Sequence, residues 1–217
     1  MNIIYSNLEL SHKYIVIFIH GFNKNSSSWN KTDSGKIINI EETIKKKATT
    51  VLIDLFEDIY SEPIPEIANK LYNNIKSSIP KMGKIIIVAH SYGAFYALSL
   101  AQSNHEHIYG ILLLDPIVKS DEYKNYLAKS NSPIQLEKLK NFDSIPNPIP
   151  LKNKIIVKIC LKVDDDIYEK TQYFDKLTRN NINSDILVYP NRSHMLHYDM
   201  HDKIISIIKQ LMFLLIC

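Results

Sequence analysis

"KIIIVAHSYGAFYALSLA", residues 84–101, changes period in its middle. Ile85, Ile86, Ile87 and Val88 form a β-branched run of the kind found in a short buried strand. From Tyr92 onward the apolar residues Phe95, Leu98, Leu100 and Ala101 recur at helical spacing. Ser91 stands on the corner between the two patterns, with Ala89 two residues before it and Gly93 two residues after. Small residues at both places let two backbone segments crowd around a sharp turn. Such a turn lifts the central side chain clear of the sheet edge, as a nucleophile requires. A serine in a strand-to-helix loop is also an ordinary N-cap. Its meaning therefore depends on whether a base, an acid and an oxyanion site exist elsewhere.

The rest of the chain repeats the alternation. Strand patterns lie at 14–19, 49–55, 84–89, 109–114, 155–163 and 185–189. Helical ones lie within 36–47 and at 65–78, 92–103, 167–178 and 201–214. Near-continuous apolar strands separated by helices predict an α/β fold, with a mostly parallel central sheet covered by helices on both faces. Right-handed crossovers then place the strand-to-helix loops along one sheet edge, where open α/β sheets carry their sites. Residues 117–152, with Pro133, Pro146, Pro148 and Pro150, interrupt the rhythm. They are expected to form a short insertion, either a surface decoration or a cap over that edge. The 217 residues suit one domain over 1–217 with a substantial core.

Composition narrows the class. Hydrophobic residues make up 45% and charged ones 23%, with a net charge of +3 and both signs mixed. No field suited to nucleic acid is expected, and Lys45-Lys46-Lys47 reads as a solvated helix end. Cys160 and Cys217 make neither a disulfide framework nor a metal spacing, which makes a reducing cytoplasm the expected location. The N-terminus lacks the pattern of a signal peptide. The apolar stretch from Ile204 to Cys217 is too short to span a bilayer and reads as a core helix.

The loops at the catalytic edge supply the remaining candidates. "VYPNRSHML" places His194 between the last strand and the final helix, where it can approach Ser91 and take its proton. His197 and His201, in or near that helix, read as exposed or capping residues, and His90 as packing under the elbow. "ICLKVDDDIYE" presents Asp164, Asp165 and Asp166. Two of them read as helix-capping carboxylates, and the third is free to hold the histidine's tautomer. "HGF" at 20–22 allows the backbone amides of Phe22 and Tyr92 to converge on a developing oxyanion.

Taken together, "HGF" (20–22), "AHSYGA" (89–94), "LLLDP" (112–116), "DDDIY" (164–168) and "SHML" (193–196) resemble the motifs of a small α/β-hydrolase, nearly end to end and in the family's order Ser…Asp…His. "DLFEDIYSEP" (54–63) resembles the family's strand-end stretch without its glycines, and Ala89 stands where the family has Gly. The resemblance implies a Ser91–His194–Asp triad working through an acyl-enzyme, with no metal or organic cofactor. Aligning Val157–Leu161 with the family's strand makes Asp165 the acid. Asp164 fits if the turn is one residue shorter, and Asp115 fits those members that carry the acid after the preceding strand. The implied substrate is a small-molecule carboxylic ester or thioester. An amide or C–C bond cut by the same residues, or a ligand-binding protein of this fold with little turnover, are the alternatives. Oligomeric state is not legible.

Overall fold

The structure, a computed structural model, describes residues 1–8, 13–21, 24–33, 36–55, 62–79, 83–103, 106–118, 151, 154–164, 167–179, 181 and 183–214. Seven strands form one sheet: β1 (Asn2–Ser6), β2 (Tyr14–Ile19), β5 (Thr49–Asp54), β6 (Lys84–His90), β7 (Ile108–Leu114), β8 (Ile156–Lys162) and β9 (Ser184–Tyr189). Their order is β1-β5-β2-β6-β7-β8-β9, and every neighbouring pair is parallel except β1 on β5. The mostly parallel sheet inferred from the alternation is therefore present. Most of the insertion expected over 117–152 lies outside the described residues.

Period-two alternation builds both halves of the core. Ile15, Ile17, Ile19, Ile85 and Ile87 face one side, where they join the buried residues of α2 (Ile64–Ser78), α3 (Gly93–Gln102) and α4 (Ile167–Thr178). Val16, Phe18, Ile86, Val88, Leu112 and Leu114 face the other, against Ile40 and Ile44 of α1 (Ile40–Ile44) and the apolar stripe of α6 (His201–Leu214). Strands so covered are apolar throughout because neither face meets water. Each fully buried aliphatic side chain contributes roughly 1.5–3 kcal/mol.

Two local differences from the sequence reading have simple causes. The helical pattern within 36–47 divides into a strand, β4 (Lys36–Asn39), and the short helix α1. Strand β4 pairs with β3 (Asn30–Asp33) as a two-stranded ribbon. Adjacent Ile37 and Ile38 suit an extended pair with one side chain out and one in, at 66% and 2% exposed. Strand β1 carries no clear signal in the sequence because it is a short edge strand of mixed burial, without a covered face on both sides.

Topology then places the site. From β2 the chain crosses to β5 on one side and returns to β6 on the other, and it proceeds onward to β9. The direction of winding reverses at β2, which opens a crevice outside the carboxyl ends of β2 and β6. The elbow after β6 packs tightly into it. A Cβ on Gly93 would lie 2.7 Å from the carbonyl oxygen of His20 and 2.8 Å from that of Ile19, so only glycine fits there.

Candidate active site

Strand β6 ends at His90, and Ser91 takes the left-handed backbone conformation, φ 52°. Its N–H donates to the Leu114 carbonyl at 2.9 Å, carrying the ladder with β7 one residue past the strand. Asp115 repeats this geometry on the neighbouring strand. Its φ is 40° and its N–H donates to the Cys160 carbonyl at 2.7 Å. His90 pairs with Leu114 across the two strands, so Ser91 and Asp115 emerge at matching positions on adjacent strand ends. Positive φ at two non-glycine residues is strain that surrounding structure must hold, and such residues gather at functional sites.

His194 enters from the loop between β9 and the short helix α5 (Leu196–Asp199). Its Nε2 lies 2.8 Å from Ser91 Oγ, and its Nδ1 lies 2.5 Å from Asp115 Oδ2. A carboxylate only accepts, so Nδ1 carries the proton and Nε2 is left to accept from the serine hydroxyl. Ser91 and Asp115 are 4% and 0% exposed, while the His194 side chain is 42% exposed. The chain of bonds thus runs from a fully buried carboxylate to a rim open to substrate.

The other carboxylate oxygen of Asp115 faces a cation. Lys170 of α4, itself buried, places Nζ 3.7 Å from Asp115 Oδ1 and 2.7 Å from Asp164 Oδ2. Asp164 is also 3.6 Å from Lys162 Nζ. The Lys162 N–H stands 3.5 Å from Asp115 Oδ1, at the limit of a hydrogen bond. Lys170 therefore lies between two carboxylates that the sequence presents as rivals for one role.

Three further histidines, His20, His90 and His197, are buried. His20 donates Nδ1–H to the Gly21 carbonyl at 2.5 Å and accepts at Nε2 from the Leu55 N–H at 3.1 Å. Burial lowers its pKa. The His90 ring packs 4.8 Å from that of His194 and 4.5 Å from that of His197. Burial and these two rings push the His90 pKa well below the ordinary value. His197 is not the exposed or capping residue expected from its place near the final helix. It is 1% exposed, packed 5.0 Å from Trp29, and burial pushes its pKa down to about 3.

Of the residues singled out by sequence, the structure brings Ser91 and His194 together. The partner at Nδ1 is Asp115, the outsider among the three carboxylates. Asp165 and Phe22 lie outside the described residues. Asp164 turns to Lys170. Tyr92, the other expected oxyanion donor, occupies the N-cap position of α3. The His-Gly turn borders Ser91. A Cβ on Gly21 would lie 3.2 Å from the Cβ of Ser91 and 2.9 Å from Nδ1 of His90. Lys170 has no sequence signal, because nothing in a helical pattern marks one lysine as buried. Burial pushes the Cys160 thiol up to about 12, which keeps it protonated and unreactive.

A seven-stranded, mostly parallel sheet, helices on both faces and a strained serine at the switch point define an α/β hydrolase. The chain belongs to the family described as serine hydrolase, whose profile matches residues 68–212. It is a hydrolase enzyme. Solved structures agree on the fold. MenH from S. aureus superposes with a TM-score of 0.65 at 13% identity, over 96% of this chain and 97% of that one. A thermophilic esterase from Thermogutta terrifontis gives 0.65 at 14%, over 97% and 92%. A lipase-esterase related protein from Clostridium acetobutylicum ATCC 824 gives 0.63 at 12%, over 97% and 98%. Comparison with curated proteins returned no match. Among the described residues no helix is long and apolar enough to cross a membrane, and no group of three or more His, Cys, Asp or Glu could hold a metal ion.

Proposed function

We propose that the protein hydrolyses a small-molecule carboxylic ester or thioester, with Ser91 as nucleophile, His194 as general base and Asp115 as the acid that orients it. The observation that carries this reading is the unbroken hydrogen-bonded chain Asp115–His194–Ser91. Ser91 Oγ attacks the acyl carbon while its proton passes to His194 Nε2, and the carbonyl π pair moves onto oxygen. Asp115 stabilises the imidazolium that forms and stays ionised. Collapse of the tetrahedral intermediate breaks the bond to the alcohol or thiol, which leaves with the proton held at Nε2. Water then attacks the acyl-enzyme, giving its proton to Nε2, and the carboxylic acid departs as Ser91 recovers its hydrogen. The amide of Tyr92, next in chain after the nucleophile, is placed to donate to the oxyanion. Phe22 is retained as the second donor on the strength of the Gly21 turn beside Ser91.

A fluorophosphonate probe and p-nitrophenyl esters of graded chain length test the proposal. Wild-type protein is expected to label covalently and to turn over at least one chain length, while Ser91→Ala does neither. A wild-type protein that binds esters without labelling would instead be a ligand-binding member of the fold. Full turnover by Ser91→Ala would overturn the reading outright.

A further inference from the structure

We infer that His90 is the positioning residue for the general base, holding the backbone of His194 so that its ring reaches Ser91; the inference rests on the triad reading above. His90 Nε2 lies 2.8 Å from the carbonyl oxygen of His194. The carbonyl only accepts, so Nε2 of His90 carries the proton and donates it. Two consecutive residues at the end of β6 therefore grip one residue of a distant loop. His90 holds its backbone, and Ser91 meets its side chain.

The loop needs such a grip. It runs from Tyr189 to Leu196, with Asn191 in the left-handed region at φ 55°. At its start the Val163 N–H after β8 donates to the Tyr189 carbonyl at 3.2 Å. Further along, Ser193 donates through N and Oγ to Asp199 Oδ2 at 2.7 and 2.8 Å, and the Met195 N–H reaches Ser193 Oγ at 3.2 Å. The Ser193 and Met195 bonds tie the middle of the loop to α5 and not to the sheet. The His90 bond alone, among those recorded for the described residues of this loop, ties its backbone to the strand that bears the nucleophile.

The surroundings keep His90 in the donating form. It is 2% exposed, packed against the tilted ring of His194 and edge-on to that of His197, and burial disfavours its charged state. Its other nitrogen, Nδ1, faces Gly21, where a Cβ would come within 2.9 Å. The glycine of the His-Gly turn thus leaves room for the ring that holds the base, beside leaving room for Ser91. An error of about 1 Å in the placement of a reacting group costs on the order of 100-fold in rate, and the His90 bond is set where such an error would arise.

The test compares His90→Leu and His90→Gln with wild type, since glutamine carries an amide N–H toward the same carbonyl. His90→Leu is expected to lower kcat and the fluorophosphonate labelling rate by roughly 10- to 100-fold with KM within about threefold, and His90→Gln to recover most of that loss. Equal rates in His90→Leu and wild type, or a glutamine variant as slow as leucine at the same thermal midpoint, would overturn the inference. Histidine ¹⁵N spectra of the wild type give a measure independent of folding variants. The proton of His90 is expected on Nε2 and slow to exchange, and a proton on Nδ1 would sink the idea. Failure of wild-type protein to label at all would instead overturn the triad reading, and this inference with it.

Discussion

Asp115 reaches His194 from one residue beyond the end of β7, 2.5 Å from Nδ1, on the strand immediately beside the one that bears Ser91. Asp115 and Ser91 are therefore products of the same geometry, each a left-handed residue following a parallel strand and each with its N–H bonded to the next strand over. Asp164, after β8, is linked to Asp115 from behind through Lys170.

Asp115→Asn is expected to cut kcat by on the order of 10⁴-fold, because an amide at this place no longer fixes the proton on Nδ1. Asp165→Asn should retain a near-normal rate. Steady-state kinetics of both variants, with circular dichroism to confirm folding, decide between them. A crippled Asp165→Asn beside a near-normal Asp115→Asn would return the role to the later cluster.

The backbone of Ser91 stores strain that a comparison of two inactive variants exposes. Ser91→Ala and Ser91→Gly both lack the hydroxyl, so they differ in how the residue tolerates φ 52°. Left-handed backbone costs a residue with a Cβ about 1–2 kcal/mol. Part of that is offset because glycine is freer in the unfolded chain. Ser91→Gly should therefore unfold at the higher denaturant concentration, by about 1 kcal/mol. Equal midpoints would show that the elbow is not strained.

Lys170→Met should destabilise the fold by about 3–5 kcal/mol, since removing one partner leaves buried charge uncompensated. The Lys170 side chain is 4% exposed and stands between Asp115, at 0%, and Asp164, at 18%. Chemical denaturation measures the change. A loss below 1 kcal/mol would mean that the carboxylates are satisfied without the cation.

Acid should unfold the protein through its buried histidines. His197 has a folded pKa of about 3 against 6.5 for the free side chain, and His20 and His90 shift the same way. Between those values the unfolded chain binds the proton and the folded one does not, so stability rises with pH. The contribution of His197 is complete above about 6.5 and falls progressively toward about 3. Its slope is about 1.4 kcal/mol per pH unit. Unfolding free energies measured from pH 7 to 4 should fall, and less steeply in His197→Phe. A parallel fall in that variant would assign the acid sensitivity elsewhere.

Much of the fold was legible because its cause is local. The run Ile85–Val88 had to be a strand covered on both faces, and the small residues around Ser91 had to mark a tight corner. Six of the seven strands of the large sheet follow from runs of this kind. The ribbon of β3 and β4 was hidden because Ile37 and Ile38 fit a helical and an extended period equally well over so short a stretch. Ser91 and His194 stood out in the sequence because the alternation itself puts both on the carboxyl edge of the sheet.

Which carboxylate meets His194 was another matter. Asp115, Asp164 and Asp165 all follow strands that end at that edge, and pattern alone treats them alike. Tertiary structure separates Asp115 from Asp164 by the reach of a loop. His194 lies over the ends of β6 and β7, where its ring meets Ser91 and Asp115 together. Asp164, one strand further along, turns to the buried Lys170. The same holds for His90 and His197, whose burial depends on contacts between segments about a hundred residues apart. Periodicity along a chain specifies which element forms and which face is apolar. The partner of a polar group is chosen by distances across the sheet, and those exist only once the strands have assembled.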